Sequence, residues 1–158
     1  MILKLNHDQC AIIDNEDYDK IRGISWYSWR SKNGRYYVRG YANVTKPTWV
    51  LLHRVLLDNP RGLIDHIDGN PLNNKRSNLR ICTCAQNLHN RGKTRLNTSG
   101  YKGVSWDVLN KKWQVNIGVG GIRYKIGRFV TKEDAALAYN EAAIAMHGEF
   151  AMLNNIQR

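Results

Sequence analysis

The sequence predicts an α+β protein: a β-hairpin-rich N-terminal part, a central strand–loop–strand–helix, and a C-terminal three-stranded antiparallel sheet packed on one helix. Three observations carry this prediction. "GISWYSWRSKNGRYYVRGYANV" holds two runs rich in aromatic and β-branched residues around Lys32-Asn33-Gly34, where Asn-Gly is a strong hairpin turn signal. "KWQVNIGVGG" alternates strictly, with Trp113, Val115, Ile117 and Val119 on one face and Gln114, Asn116 and Gly118 on the other. Finally, an alanine-rich stretch follows Thr131 with apolar residues at helical spacing.

The N-terminal hairpin places Arg30, Lys32, Arg35 and Arg39 among Trp29, Tyr36 and Tyr37, a mixture that suits either a nucleic-acid surface or a core. "WVLLHRVLL" fits a short buried helix or a strand, and periodicity does not choose between them. "LID" then ends a short apolar run, Asp68-Gly69-Asn70-Pro71 is turn chemistry, and "LRICT" reads as the returning strand. Thr83-Cys84-Ala85-Gln86 has the form of a capping box that opens a short helix, and Gly92 suits its C-terminal stop. A polar linker at 94–99 follows a first domain at 1–93 and leads into a second at 100–158. There, Gly120-Gly121 turns the alternating strand into "IRYKIGRF", whose Ile122, Tyr124 and Ile126 share one face, with Gly127 allowing a bulge. Thr131 caps the last helix, Glu133 and Asp134 suit its positive end, and Ala135, Ala138, Tyr139, Ala142 and Met146 form the stripe expected to pack on the sheet.

Charge narrows the partners. The 158 residues carry 24 Lys and Arg against 13 Asp and Glu, a net charge of +11, and the excess lies in the middle of the chain. A polyanion such as nucleic acid is the partner this suggests. No apolar run has the length of a signal peptide or a membrane span, so the expected setting is intracellular, in the cytoplasm, with no membrane partner. Cys10, Cys82 and Cys84 read as reduced thiols, since an odd number without a second pair completes no zinc site.

The stretch "DHIDGNPLNN" admits several readings. A calcium loop of the EF-hand kind fails, because counting from Asp65 the positions that need Gly and Glu hold Asn70 and Arg76. A structural turn explains the Asp, Gly, Asn and Pro content. A hydrolytic site would instead use a histidine to activate water while a carboxylate and an amide oxygen hold a hard cation.

Residues 53–87, "HRVLLDNPRGLIDHIDGNPLNNKRSNLRICTCAQN", resemble the His-Asn-His (HNH) nuclease motif of homing endonucleases, with "DHIDGN", "NN", "SNLR" and "QN" in order. Residues 101–154, with "YKGVSWD", "KWQVNI", "YKIGRF", "AALAYNEAA" and "HGEFAMLN", resemble the Apetala-two/ethylene-response-factor DNA-binding domain. The first resemblance implies a ββα-metal core at about 53–92, with His66 as general base, Asp65 and Asn87 as metal ligands, and Asn78 as the residue that fixes the loop. It implies Mg²⁺ or Mn²⁺ with no organic cofactor, and 5′-phosphate and 3′-hydroxyl products. Asn87 standing where many such enzymes carry a final histidine favours a hard ion over zinc. Arg54, Arg80, His89, Asn90 and Arg91 are candidate phosphate contacts, and His53 lies close to the motif. The second resemblance implies a sheet face that contacts duplex DNA through Lys102, Ser105, Gln114, Asn116, Arg123, Lys125 and Arg128. Ser105, Asp107 and Gly118 stand where the plant domains carry arginines, so their target sequence does not transfer. The expected protein is a site-specific, homing-type endonuclease acting as a monomer on double-stranded DNA. The alternative is a non-catalytic DNA-binding regulator with a decayed nuclease motif.

Overall fold

The structure is a computed structural model and describes residues 1–32, 34–42 and 48–156. Helices and several small antiparallel sheets give a mixed α+β architecture in two compact units, Met1–Thr83 and Cys84–Arg158. No helix among the described residues is long and apolar enough to cross a membrane.

The first unit opens with a hairpin of β1 (Ile2–Lys4) and β2 (Cys10–Ile12), turned through His7 and Asp8 at φ 56° and 53°. Its tip covers the edge of the next sheet: the Asn6 side chain accepts the Ser28 N–H at 2.6 Å and the Ser28 hydroxyl at 3.0 Å. An uncovered edge would offer these groups to another chain. A short helix, α1 (Tyr18–Ile21), leads to a three-stranded sheet of β3 (Trp26–Arg30), β4 (Tyr36–Tyr41) and β5 (Trp49–Leu51), in that order. Asn33, the first residue of the expected turn dipeptide, lies outside the described residues, while Gly34 takes φ 84° and donates to Ser31 O at 2.9 Å.

"WVLLHRVLL" is both of the things it resembled. Trp49 and Val50 pair with β4, and the chain then winds into α2 (Leu52–Leu56), which buries Leu52 and Leu56 one helical turn apart. These leucines meet Ala11, Ile13, Ile21, Trp26, Val38 and Leu79 in one core. The last two strands, β6 (Leu63–His66) and β7 (Leu79–Cys82), pair antiparallel and pass through a loop that the N-terminal elements hold. Ile12 donates to Leu72 O at 2.8 Å and accepts from Asn74 N at 2.7 Å. Arg76 bonds both oxygens of the buried Asp17 and donates to Leu56 O at 2.9 Å.

The second unit begins with α3 (Cys84–His89), where the Thr83 signal foretold a helix start. Its sheet runs β10–β9–β8, with β8 at Val104–Asp107, β9 at Lys112–Val119 and β10 at Ile122–Phe129. The pairing of β9 with β10 shifts between Lys125 and Gly127, which places the bulge where the glycine predicted it. Beyond Thr131, whose hydroxyl accepts the Asp134 N–H at 3.1 Å, α4 (Lys132–His147) crosses the sheet. Its buried face is Ala135, Ala136, Tyr139, Ala143 and His147; Met146, expected inside, is exposed. Alanines lie all round this helix, so apolar spacing did not define its face, and the bulk of Tyr139 did. Gly103, at φ 75°, lies under that ring: a Cβ there would fall 2.1 Å from Tyr139 Cδ2. Ile122 and Tyr124 pair with Val119 and Ile117, yet both stay exposed.

The first expected domain ended at 93, whereas the compact units part at 83/84. Contacts within the second unit account for the difference. The Lys102 ammonium donates to His89 O, the His89 and His147 rings stack at 3.7 Å and 9°, and Lys93 Nζ donates to Gly100 O at 2.9 Å.

Candidate active site

Asp65 and His66 are the last two residues of β6 and sit opposite Arg80 and Leu79. Strand alternation sends their side chains to opposite faces. Both are buried. Asp65 Oδ2 accepts from Arg80 Nε at 3.0 Å and Nη2 at 2.8 Å, so a side-on guanidinium holds the carboxylate.

His66 Nε2 lies 3.4 Å from Asn74 Oδ1, and Asn74 Nδ2 donates to Pro71 O at 3.1 Å. That second bond assigns the amide orientation, so its oxygen faces the imidazole. An amide oxygen only accepts; Nε2 therefore carries the proton in the neutral ring and Nδ1 carries the lone pair. His53, on α2, meets His66 edge to face at 5.2 Å and 90°. Burial is the main force that lowers the pKa of His66, while the Asn74 bond and the carboxylates of Asp68 and Asp65 oppose it and Arg35 adds a smaller lowering. His53 is pushed down to about 3, chiefly by burial, with His66 and Arg54 adding to it. Both imidazoles are therefore neutral near pH 7, the form a general base requires.

The loop after His66 is built from its own side chains. Asn78 donates to Asp68 Oδ1 at 2.9 Å and Asn73 O at 2.7 Å, and its oxygen accepts the Asp68 N–H at 3.0 Å. Asp68 also takes Asn70 N at 2.8 Å and Asn73 Nδ2 at 2.7 Å. Burial raises the Asp68 carboxyl, but these donors outweigh it and hold the group below the usual carboxylate range. Gly69, at φ 71°, donates to His66 O at 2.8 Å and closes the turn.

The remaining candidates divide between the units. Asn87 lies on α3 in the second unit. Arg54 spends its guanidinium on Asn59 Oδ1, Gly62 O and Pro60 O, bracing the turn before β6. Asn90 is buried, His89 stacks on His147, and Arg91 is exposed. In the second sheet, the register puts Ser105, Gln114 and Arg128 in one row, Asn116 beside Lys125, and Gly118 beside Arg123. Arg128 Nε donates to Asp107 Oδ2 at 2.7 Å, and Asp107 also caps the turn at Asn110. Lys102 was expected on this outer face; instead it precedes β8 and turns its ammonium to His89 O, and burial lowers its pKa to about 8. Sequence reasoning assigned no role to Asn74, although "NN" was a quoted element; the spacing from His66 alone does not reveal a bond across a loop.

Residues 50–89 match the HNH endonuclease family. The chain therefore carries an HNH endonuclease family domain. It is 37% identical over 93 residues to protein 3.8 of Escherichia phage T7, covering 58% of this chain and 76% of that protein. It is 39% identical over 93 residues to an uncharacterized HNH endonuclease of Acanthamoeba polyphaga mimivirus, covering 59% of this chain. That second alignment spans about half, 47%, of the mimivirus protein. No solved structure matches the chain. The HNH segment contains β5, α2, β6, the Asn-rich loop, β7 and α3, so Asp65, His66, Asn74, Asn78 and Asn87 all fall within it.

Proposed function

We propose that the protein is a homing-type DNA endonuclease in which His66 is the general base and Asp65 and Asn87 hold a divalent metal ion. The observation that carries this reading is the buried His66, held through Nε2 by Asn74 and adjoining Asp65, inside the HNH segment. His66 Nδ1 takes the proton of the attacking water as its oxygen bonds to phosphorus. The bond to the 3′ oxygen breaks and that oxygen takes a proton from solvent water, leaving 5′-phosphate and 3′-hydroxyl ends. Asn74 keeps the ring from rotating, and Asn78 keeps the loop from withdrawing Asn74. The donors fit a hard cation: carboxylate and amide oxygens suit Mg²⁺ or Mn²⁺, which keep several waters and need few protein ligands. When bound, the ion supplies Lewis-acid polarisation of the scissile phosphate.

The C-terminal unit positions the enzyme on double-stranded DNA, as an Apetala-two/ethylene-response-factor-like reader. Its support is an outer sheet face carrying Ser105, Gln114, Asn116, Arg123 and Lys125, groups able to bond base edges or phosphates from a β-ribbon. Arg128 is oriented by Asp107 and shares its charge with that carboxylate. A monomer with one such site nicks one strand. Supercoiled plasmid incubated with the protein should become nicked in Mg²⁺ or Mn²⁺ and stay intact in chelator. A failure of metal-dependent nicking, with DNA binding preserved, would instead support the non-catalytic regulator.

A further inference from the structure

The outer face of the β3–β4–β5 sheet has no part in the site above. Alternation turns Trp26, Ser28, Val38 and Gly40 toward the core and leaves Tyr27, Trp29, Arg39, Tyr41 and Trp49 together on the opposite face. Tyr27 is 41% exposed, Trp29 38%, Tyr41 42% and Trp49 44%. Rings of this size normally enter a core, and four on one sheet face make a patch that marks an interaction site.

The patch is organised. Tyr41 packs on Trp49 with centroids 3.8 Å apart and ring planes tilted by 37°. The Arg39 guanidinium lies 4.0 Å from the Trp49 ring and 5.4 Å from the Trp29 ring, bridging the two indoles across the sheet. Its Nε is buried without a hydrogen-bond partner among the described residues, so stacking and not a fork of hydrogen bonds holds it there. An open groove of about 560 Å³ runs along this face, with Asn6, His7 and Arg30 on its walls.

Charge selects the occupant. Among the described residues, Arg30 and Arg39 line the groove and no Asp or Glu does. The partner is therefore anionic, and the rings call for planar groups with free faces. Duplex DNA hides its ring faces in the base stack; a single strand offers them beside its phosphates. We propose that this face is a stacking platform for single-stranded DNA, with unpaired bases lying on Trp29 and on the Tyr41–Trp49 pair and phosphates meeting Arg30 and Arg39. The choice of DNA over RNA rests on the endonuclease reading; the stacking geometry does not.

The test uses the full chain in chelator, so that bound DNA is not cut, with fluorescence anisotropy of a labelled oligothymidylate, the same strand bearing abasic sites, and a duplex of equal length. Trp29→Ala and Trp49→Ala should each weaken binding of the oligothymidylate about tenfold, within the range for loss of one base–aromatic stack. Duplex affinity should barely change. Trp29→Phe and Trp49→Phe keep a ring and should retain most of the affinity, which separates lost stacking from lost folding. The abasic strand, which keeps every phosphate but loses both stacks, should bind wild type more weakly than oligothymidylate binds either alanine variant. Equal binding of abasic and intact strands would overturn the proposal. So would an equal loss of duplex affinity in the alanine variants, which would make this a duplex-binding face, or a change confined to self-association, which would make it an interface between copies. Nicking in Mg²⁺ is measured in parallel: a platform that fails while nicking persists removes this inference alone, and a platform that binds without nicking removes the endonuclease reading alone.

Discussion

The loop after His66 and the outer face of the β8–β9–β10 sheet are both dense in polar side chains, yet they use them in opposite ways. In the loop, Asp68, Asn73, Asn74 and Asn78 bond to one another and to backbone, so their geometry is set before any substrate arrives. On the sheet, Arg123 and Lys125 are exposed, and Gln114 and Asn116 are half-buried opposite Arg128 and Lys125. Chemistry needs groups that do not reorganise during the reaction, whereas a reader needs groups still able to exchange water for bases and phosphates. The Asp107–Arg128 pair shows the difference within a single face: that arginine is aimed by a neighbour and its charge is partly spent.

The comparison can be broken by damaging one unit at a time. The largest effect on stability should come from Gly103→Ala. The new Cβ meets the Tyr139 ring, and φ 75° is unfavourable for a side chain, so overpacking and backbone strain together cost about 3–5 kcal/mol. Hydrogen exchange should show β9 amides losing protection while those of β6 and β7 keep theirs. Equal loss in both units would mean that they do not fold separately.

Next is acid sensitivity in the first unit. His53 has a folded pKa of about 3, below the ordinary 6.5, so between these values the unfolded chain binds the extra proton. Its contribution is present above about pH 6.5 and is lost as pH falls toward 3. The lowered pKa of His66 acts in the same direction. Denaturant titrations should lose on the order of 3 kcal/mol across that window, and His53→Phe should flatten the loss. A pH-independent difference between the two proteins would remove His53 from this role.

The smallest effect belongs to the sheet. Lys125→Ala should lower duplex affinity modestly and reduce the slope of log K against log salt by about one, the signature of one lost phosphate contact. An unchanged slope would exclude Lys125 from the interface.

These differences also decided what was legible beforehand. The β9 strand, its Gly-Gly turn and the bulge near Gly127 were readable because alternation and glycine are local signals. The buried face of α4 was not, since Ala138, Ala142 and Met146 have the right spacing and only Tyr139 has the bulk to choose a side. Asp65 and His66 were singled out by motif order, and the structure puts them at the end of β6. Asn74 as the partner of His66, Asp17 beneath Arg76, and Lys102 turned to His89 each depend on contacts across many residues, which no periodicity encodes. The first seventeen residues gave no motif, and Ile12, Asp14 and Asp17 among them hold the Asn-rich loop.

The most direct measurement compares His66→Ala with wild type for the nicking rate on DNA at saturating protein and Mg²⁺, alongside binding of the same DNA in chelator. Loss of a general base should slow nicking by about 10²–10⁴-fold with binding unchanged. A variant that nicks at the wild-type rate would contradict the assignment of His66 as the base.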